Sequence, residues 1–511
     1  MRKGFLGSLA VLAAGAGLTF GQQFNPAPGP LPGTLPPQGQ TTGYPPPGVA
    51  PGAYAGPSGA EAGYQYASPD NRPINMPPGL EGMVPPGSMG AGAPGRVYDE
   101  GPSGQRRGIL AGLFGGPRRS NFYFGADYLL WASKSMPVGY PLATTSSPAD
   151  FGVAGGPSTV ALLGAGNSNI SFDMTDGIRG WVGWNWESST NFGTEITGFL
   201  MSKRNQLNYY PGNTAGLPVL AVPFYDVNAG AAGSYVVSYP GVDSGNIRIS
   251  AETRALSGEL NAFYKMYPSE DGPGGLTLFA GLRFFQLEEK FGYVTNSQTF
   301  GVPPGGIAPP GIVPAPIGGS SFFPGGGGVF AGTFFGPALA PYTVTTSDAI
   351  RTYNDFFGAN IGFRGEIGFG NWFVQATGKF AAGYMREWID VNGYTSLTTS
   401  TNLLSTQAGG LFNLPQDLGR HQKDRFAWMP EGNISVGYQL TNWMKITAGY
   451  TFLYTNTVVR PTTSLSPVLN PSLIPVSPTY SGLPGTFIPR DLLKSTDFHM
   501  QGFNGGIQIS F

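Results

Sequence analysis

A chain of 511 residues with no Cys, 81 Gly, 48 Pro and a formal net charge of −1 excludes several classes at once. It offers no disulfide framework, thiolate metal site, catalytic thiol or cysteine-borne lipid, and its charge balance argues against a nucleic-acid partner. Only 11% of its residues are charged, against roughly 25% in soluble globular chains, so part of its surface is expected to face something other than water.

In chain order, Arg2 and Lys3 precede a short apolar run from Phe5 to Phe20. That pattern reads as a secretory signal peptide over residues 1–21, cut after Gly21. The run is too short and Gly-rich to span a bilayer. Residues 22–120 form a Pro/Gly-rich leader, TTGYPPPGVAPGAYAGP being typical, and end in a basic linker, RRGILAGLFGGPRRS. With few large apolar side chains to offset ordering entropy, the leader is expected to be disordered, either a low-complexity tail with no defined partner or a spacer that reaches cell wall or a periplasmic partner.

From residue 121 to 511 the apolar residues recur with period two, the signature of strands with one greasy and one wet face. Ile178, Val182 and Trp184 alternate with Arg179, and Phe192, Ile196 and Leu200 with Glu195. Leu256, Leu260 and Tyr264 oppose Glu259 and Lys265, and Leu278, Ala280 and Leu282 oppose Arg283. Phe357 to Phe369 alternate with Arg364 and Glu366, and Trp372 to Tyr384 with Lys379. Ile434 and Val436 oppose Glu431, and Ile446 and Ala448 oppose Lys445. The last strand carries Phe503, Ile507, Ile509 and Phe511 on one parity. Nothing else in the sequence could bury so many greasy faces, so the expected fold is all-β: an antiparallel transmembrane barrel of about ten strands, or twelve if Pro218–Val227 and Ser234–Tyr239 join it. The ten charged residues on the wet parity, from Arg179 to Lys445, are then the candidate lumen lining.

Turn chemistry supports these parities. Gly370-Asn371 is a two-residue hairpin turn that makes Phe369 and Trp372 partners, whereas a three-residue turn over Leu440–Asn442 is expected to pair Gln439 with Trp443. Short turns near Ser188, Asp271, Gly370 and Thr441 alternate with long external loops, Lys134–Asp173, Arg204–Gly245, Phe291–Ser347, Glu387–Asp424 and Asn456–Thr496. Short turns belong on the periplasmic side of outer-membrane barrels, so both ends of the barrel segment are expected there. Trp184, Trp186, Phe369 and Trp372 would form the interfacial girdle at that side.

The signal peptide, the leader, the opening FYFGADYLLWASKSMP, the hairpin GIRGWVGWNW and FGTEITGF, and the aromatic final strand resemble the putative beta-barrel porin family seven over residues 121–511. The resemblance implies a bacterial outer-membrane barrel in contact with lipid, and it supplies no solute. In outer-membrane barrels a final-strand aromatic belongs to the signal read by the barrel-assembly machinery, a role that fits Phe511 with Phe503, Ile507 and Ile509. A porin-like passive channel for small solutes is one expectation; a plugged structural or surface-interaction barrel acting through its loops is the other. The only histidines are His421 and His499, with no metal-ligand spacing or phosphate-cradling loop near them, so neither an enzyme nor a cofactor is expected.

Overall fold

The computed structural model describes residues 122–165, 169–186, 191–268, 274–299, 321–322, 328–331, 341–399, 403–477, 480 and 490–511. The expected signal peptide and leader lie outside these residues. The first strands in chain order are β1 (Phe122–Ser133), β2 (Ala143–Ser146), β3 (Val160–Leu163), β4 (Thr175–Asn185), β5 (Phe192–Met201), β6 (Arg204–Pro211), β7 (Val219–Asp226) and β8 (Ala231–Ser238). The long hairpins follow as β9 (Asp243–Pro268), β10 (Gly274–Thr299), β11 (Ser321–Phe322), β12 (Gly328–Ala331), β13 (Tyr342–Phe369) and β14 (Trp372–Thr399). Last come β15 (Leu403–Ala408), β16 (Gly419–Thr441), β17 (Met444–Val459), β18 (Val468–Leu469) and β19 (Ser495–Ser510).

Ten of these close into a ring in the order β1, β4, β5, β9, β10, β13, β14, β16, β17, β19, each antiparallel to its neighbours. The seam pairs Tyr123 with Ser510 and Trp131 with Gly502. Closure leaves no edge in the ring, which is what hydrocarbon demands of a sheet. Outward-facing Ile178, Leu282, Ile361, Ile367, Ile434 and Phe503 are exposed, and on β13 the outward apolar run lasts from Phe357 to Phe369. At the strand rise and tilt of such barrels this is roughly 30 Å, enough to cross a bilayer core.

The band has sharp limits. At the short-turn end Trp186, Phe369 and Trp372 are exposed with Trp184 half-exposed, and Trp186 stacks on Phe192 while Trp372 meets Tyr438 edge-on at 5.0 Å. Phe369 and Trp372 are paired across the Gly370-Asn371 turn, where Gly370 supplies the positive φ of 63°. Phe511 stacks on Phe124 at 5.9 Å, and Phe503 meets Tyr450 at 5.4 Å; Ile507 and Ile509 follow on the same outward parity. At the other limit the outward residues turn charged, and Lys203, Glu252, Lys290, Glu288 and Arg351 form one chain of ion pairs across the wall.

Three expectations need correction. The turn after β16 is Asn442-Trp443, with a bulge at Leu440, so Gln439 opposes Lys445 and not Trp443; the bulge lets Leu440 and Trp443 both face outward. The segments expected as loops at Phe291–Ser347 and Glu387–Asp424 are partly strand, because β9, β10, β13 and β14 run 26 to 28 residues. Together they raise one side of the barrel into a tall wall that β6 and β15 extend laterally. Finally, Pro218–Val227 and Ser234–Tyr239 join neither the ring nor the wall. As β7 and β8 they centre a second sheet, ordered β11, β12, β8, β7, β2, β3, with β18 also on β7.

That second sheet packs against the inner face of the wall as a cap. Leu220, Val222, Phe224, Tyr235 and Val237 share one apolar core with Ile247, Ile249, Tyr293, Val344, Ile350 and Val391. Polar anchors fix it in place. Tyr293 Oη donates to Leu142 O at 2.6 Å and Ser297 Oγ to Val237 O at 2.9 Å, while Asp348 of β13 holds the connection after β15 by accepting backbone N–H groups from Leu411, Phe412 and Asn413.

Candidate functional site: the barrel lumen

The inward parity of the ten strands meets in the lumen, and it is built in two layers. The lower one, toward the short turns, is ionic. Glu195 on β5 accepts both Nη atoms of Arg364 on β13, each at 2.9 Å, and the Tyr123 hydroxyl at 2.7 Å. Lys379 on β14 reaches Glu259 on β9 at 2.7 Å. Arg283 on β10 lies between Glu259 at 3.4 Å and Glu431 of β16 at 2.6 Å, its side chain fully buried. Apart from Arg283–Glu259, which joins neighbouring strands in register, the partners come from strands two or more places apart in the ring, so these pairs are chords across the lumen.

Asn261 and Asn360 add amide donors to Glu259 at 2.9 and 3.2 Å. The remaining lone pairs of a buried carboxylate must be met in this way for the pair to be tolerated. On the opposite wall Arg179 Nε donates to Asp127 at 3.0 Å, and Thr451 bonds both Asn433 and Asn504.

Nearest the mouth, three cations lie over three rings. Arg364 is 4.7 Å from the Phe279 centroid, Lys445 is 4.6 Å from Phe373 while pairing with Glu366 at 2.8 Å, and Lys265 is 5.6 Å from Phe263. Inward glycines make room for such rings: a Cβ at Gly183 would stand 2.2 Å from Tyr123 Cζ, and one at Gly437 2.1 Å from Phe373 Cζ.

All ten inner-parity charges thus turn inward, and nine of them engage an opposite charge. Lys265 stands apart, over its ring. The candidate lining drawn from the sequence left out Asp127, Tyr123 and the four asparagines, although the asparagines fall on the wet parity of their strands. Asp127 is directly opposite Arg179 in the register of β1 and β4, but aromatic residues on both faces of β1 hid its parity. Between the charges a polar cavity remains, lined by Asp127, Arg179, Arg364, Lys379, Glu431 and Asn504 among others, with about 70 Å³ open to the centres of water molecules. That volume holds a few waters.

The second layer is apolar. Leu129, Trp131, Phe199, Met201, Phe285, Leu287, Phe356, Met385, Met429, Leu453, Phe498 and Met500 form one buried cluster. Its members come from nine of the ten strands of the ring, and Trp131, Phe285, Phe356, Met385, Met429, Leu453 and Phe498 have no exposure at all, so apolar side chains fill the lumen at this level. Trp131 meets Phe199 edge-on at 5.2 Å. Immediately above, Arg460 forms a fully buried bidentate pair with Glu289 at 2.6 and 2.8 Å, and Asn354 holds Val459 through both its amide atoms. The cap core begins there.

Neither histidine enters this site. His499 faces outward against Phe452 at 6.1 Å while Asp497 pairs with Lys134, and His421 Nε2 contacts Asp417 O.

A sequence profile described as Putative beta barrel porin-7 matches residues 123–307 and 335–511. The chain belongs to this family. As a member of this porin family it is an outer-membrane β-barrel, in keeping with the closed ring and the apolar outer band. No curated protein matches the sequence. Solved structures similar to it include the outer membrane protease OmpT from Escherichia coli, at 10% identity over 76% of this chain and 97% of that one, with a TM-score of 0.31. A mutant of the monoaromatic hydrocarbon channel TodX matches at 9% identity over 79% and 94%, with a TM-score of 0.19. Likeness this slight carries no argument about activity, so the function of this porin-family barrel has to be argued from its own lumen.

Proposed function

We propose that this porin-family barrel keeps its lumen closed and acts through the folded face it presents beyond the bilayer, as a structural or surface-interaction barrel without enzymatic activity. The observation that carries the reading is the apolar layer from Leu129 to Met500 filling the lumen above an ionic layer in which every inward charge but Lys265 is paired. Water and ions cross a dry, close-packed layer only if it opens. Ten strands suit this, since barrels of about eight fill themselves with side chains and open pores belong to 16 or more. Channel function keeps one specific support beside the family description, the polar cavity at the mouth. It would require the apolar layer and the cap to move together.

We further propose that the short turns and both ends of the barrel segment face the periplasm and that the cap faces outward, because long connections gather on the outer side of such barrels. With no native Cys, single cysteines at Asn371 and Asn392 would report the two sides by labelling intact cells with an impermeant maleimide.

Planar-bilayer recording of the refolded protein tests closure. The wild type should insert without conductance steps, and Trp131→Ala combined with Phe285→Ala should produce them. Stable wild-type steps would instead establish a resting channel.

A further inference from the structure

Above the ion-pair chain, the outer face of the tall wall changes character. Glu252, Lys290, Arg351 and Asp390 form one row across β9, β10, β13 and β14. From the next row upward, through Ser244–Ser250, Gly292–Gln298, Thr343–Ala349 and Asn392–Thr398, Arg248 is the one charged outward side chain. Hydroxyls and amides dominate. One row runs Asn246, Asn296, Thr345, Ser396 straight across the four strands, and the first three are ordered by bonds to one another: Thr345 Oγ1 donates to Asn296 Oδ1 at 2.8 Å and Asn296 Nδ2 to Asn246 Oδ1 at 3.3 Å. All the outward residues of these rows are exposed or half-exposed, and Tyr394 among them presents an exposed ring.

Water alone does not ask for this. A solvated sheet face ordinarily carries both signs of charge interspersed, at about a quarter to a third of positions, as the same wall does two rows lower. A face so poor in charge offers little to an ionic polymer, and across β9, β10, β13 and β14 its apolar area is small, the exposed Leu207 and Tyr209 of β6 standing at its margin beside Ser250 and Arg248. It is a sheet face and not an edge, so strand addition by a peptide does not apply. What it does offer is a flat lattice of groups that both donate and accept, spaced about 4.8 Å across strands and about 6.8 Å along them, with an aromatic ring for stacking. Those are the requirements of a neutral polyhydroxylated chain.

We propose that this outer face of β9, β10, β13 and β14 binds a neutral polysaccharide. The proposal is independent of whether the lumen conducts.

The test is affinity electrophoresis of the full-length refolded protein in detergent, through native gels cast with dextran, amylose or mannan, with alginate and chitosan as anionic and cationic comparators. At least one neutral polymer should retard the wild type, with little dependence on salt. Tyr394→Ala and Thr345→Glu should each weaken that retardation at least tenfold, while Glu288→Gln in the charged rows leaves it unchanged. The heat-dependent gel shift of folded barrels checks each variant, and Tyr394→Ala removes only an exposed ring. Three results would overturn the proposal: no retardation by any neutral polymer, stronger retardation by the ionic ones that salt abolishes, or wild-type behaviour of both Tyr394→Ala and Thr345→Glu. Self-association lost in those same variants, without polymer binding, would likewise assign the face to a second copy of the chain.

Discussion

The two layers of the lumen occupy the same cylinder by opposite chemistry. The ionic layer holds Arg283, Arg364 and Lys379 against Glu195, Glu259 and Glu431; the apolar one needs no pairing and packs Trp131, Phe285 and Phe356 to zero exposure. The difference lies in what a defect does. In the ionic layer, removing one partner strands a charge that has nowhere to go. In the apolar layer, removing a ring leaves a hole. The first is expected to fail as a loss of stability, the second as a leak.

Five changes would break or sharpen that contrast. Arg283→Ala should have the largest effect, about 3–5 kcal/mol, since Glu259 and Glu431 both lose a buried partner; the urea midpoint in detergent micelles reads it. Arg283→Met with Glu431→Met should recover most of that loss, and failure to recover would mean the pair contributes net stability. Trp131→Ala should cost about 3 kcal/mol or more and, unlike Arg283→Ala, raise leak conductance in a planar bilayer. If Arg283→Ala leaks and Trp131→Ala does not, the assignment of roles is reversed.

Ile507→Lys, on the lipid face near mid-band, should cost about 2–4 kcal/mol while leaving the lumen unaltered, which separates outer from inner defects. The smallest effect concerns the cap. Burial pushes the Asp243 carboxyl up to about 7, partly offset by the Thr299 hydroxyl donating at 2.7 Å. A carboxyl raised in the folded state contributes stability that is fully present near pH 4 and lost as pH rises through about 7. Protection factors in β7 and β8, taken against the intrinsic base-catalysed exchange rate at each pH, should therefore be higher at pH 5 than at pH 8, and Asp243→Asn should flatten the difference.

The ring was legible because a membrane barrel inverts the usual pattern: the regular polar parity, Arg364 and Glu366 against Ile361 and Ile367, marks the inside. The ionic layer could be found residue by residue for the same reason. What the sequence hid is the continuation of the same strands past the bilayer. On β13 the sense of the alternation reverses there, with Arg351 and Tyr353 outward and Ile350 and Val344 buried against the cap. The period is still two, but the greasy face has changed sides, so reading for lipid-facing residues ends at Phe357 and takes the rest for loop. The apolar layer sits at that reversal, where inward Phe356 follows outward Asp355 and precedes outward Phe357. The cap strands were illegible for another reason. Val468 pairs with Tyr225 and Val329 with Ser234, pairings of short segments that no local pattern announces.

The seam between β1 and β19 has a consequence for how the molecule comes into being. Its first and last strands are neighbours, down to Phe511 N donating to Phe122 O at 2.9 Å, so the ring cannot close until the final residues have arrived. Loop-closure entropy is a minor obstacle, growing by only about 0.6 kcal/mol per doubling of length. The chain is instead held open by order of synthesis, with two strand edges that neither lipid nor water-free packing can satisfy. Pairing of β1 with β19 is therefore what completes the ring, and removing the last residues of β19 is expected to leave open strand edges prone to aggregation in place of a slightly weaker barrel.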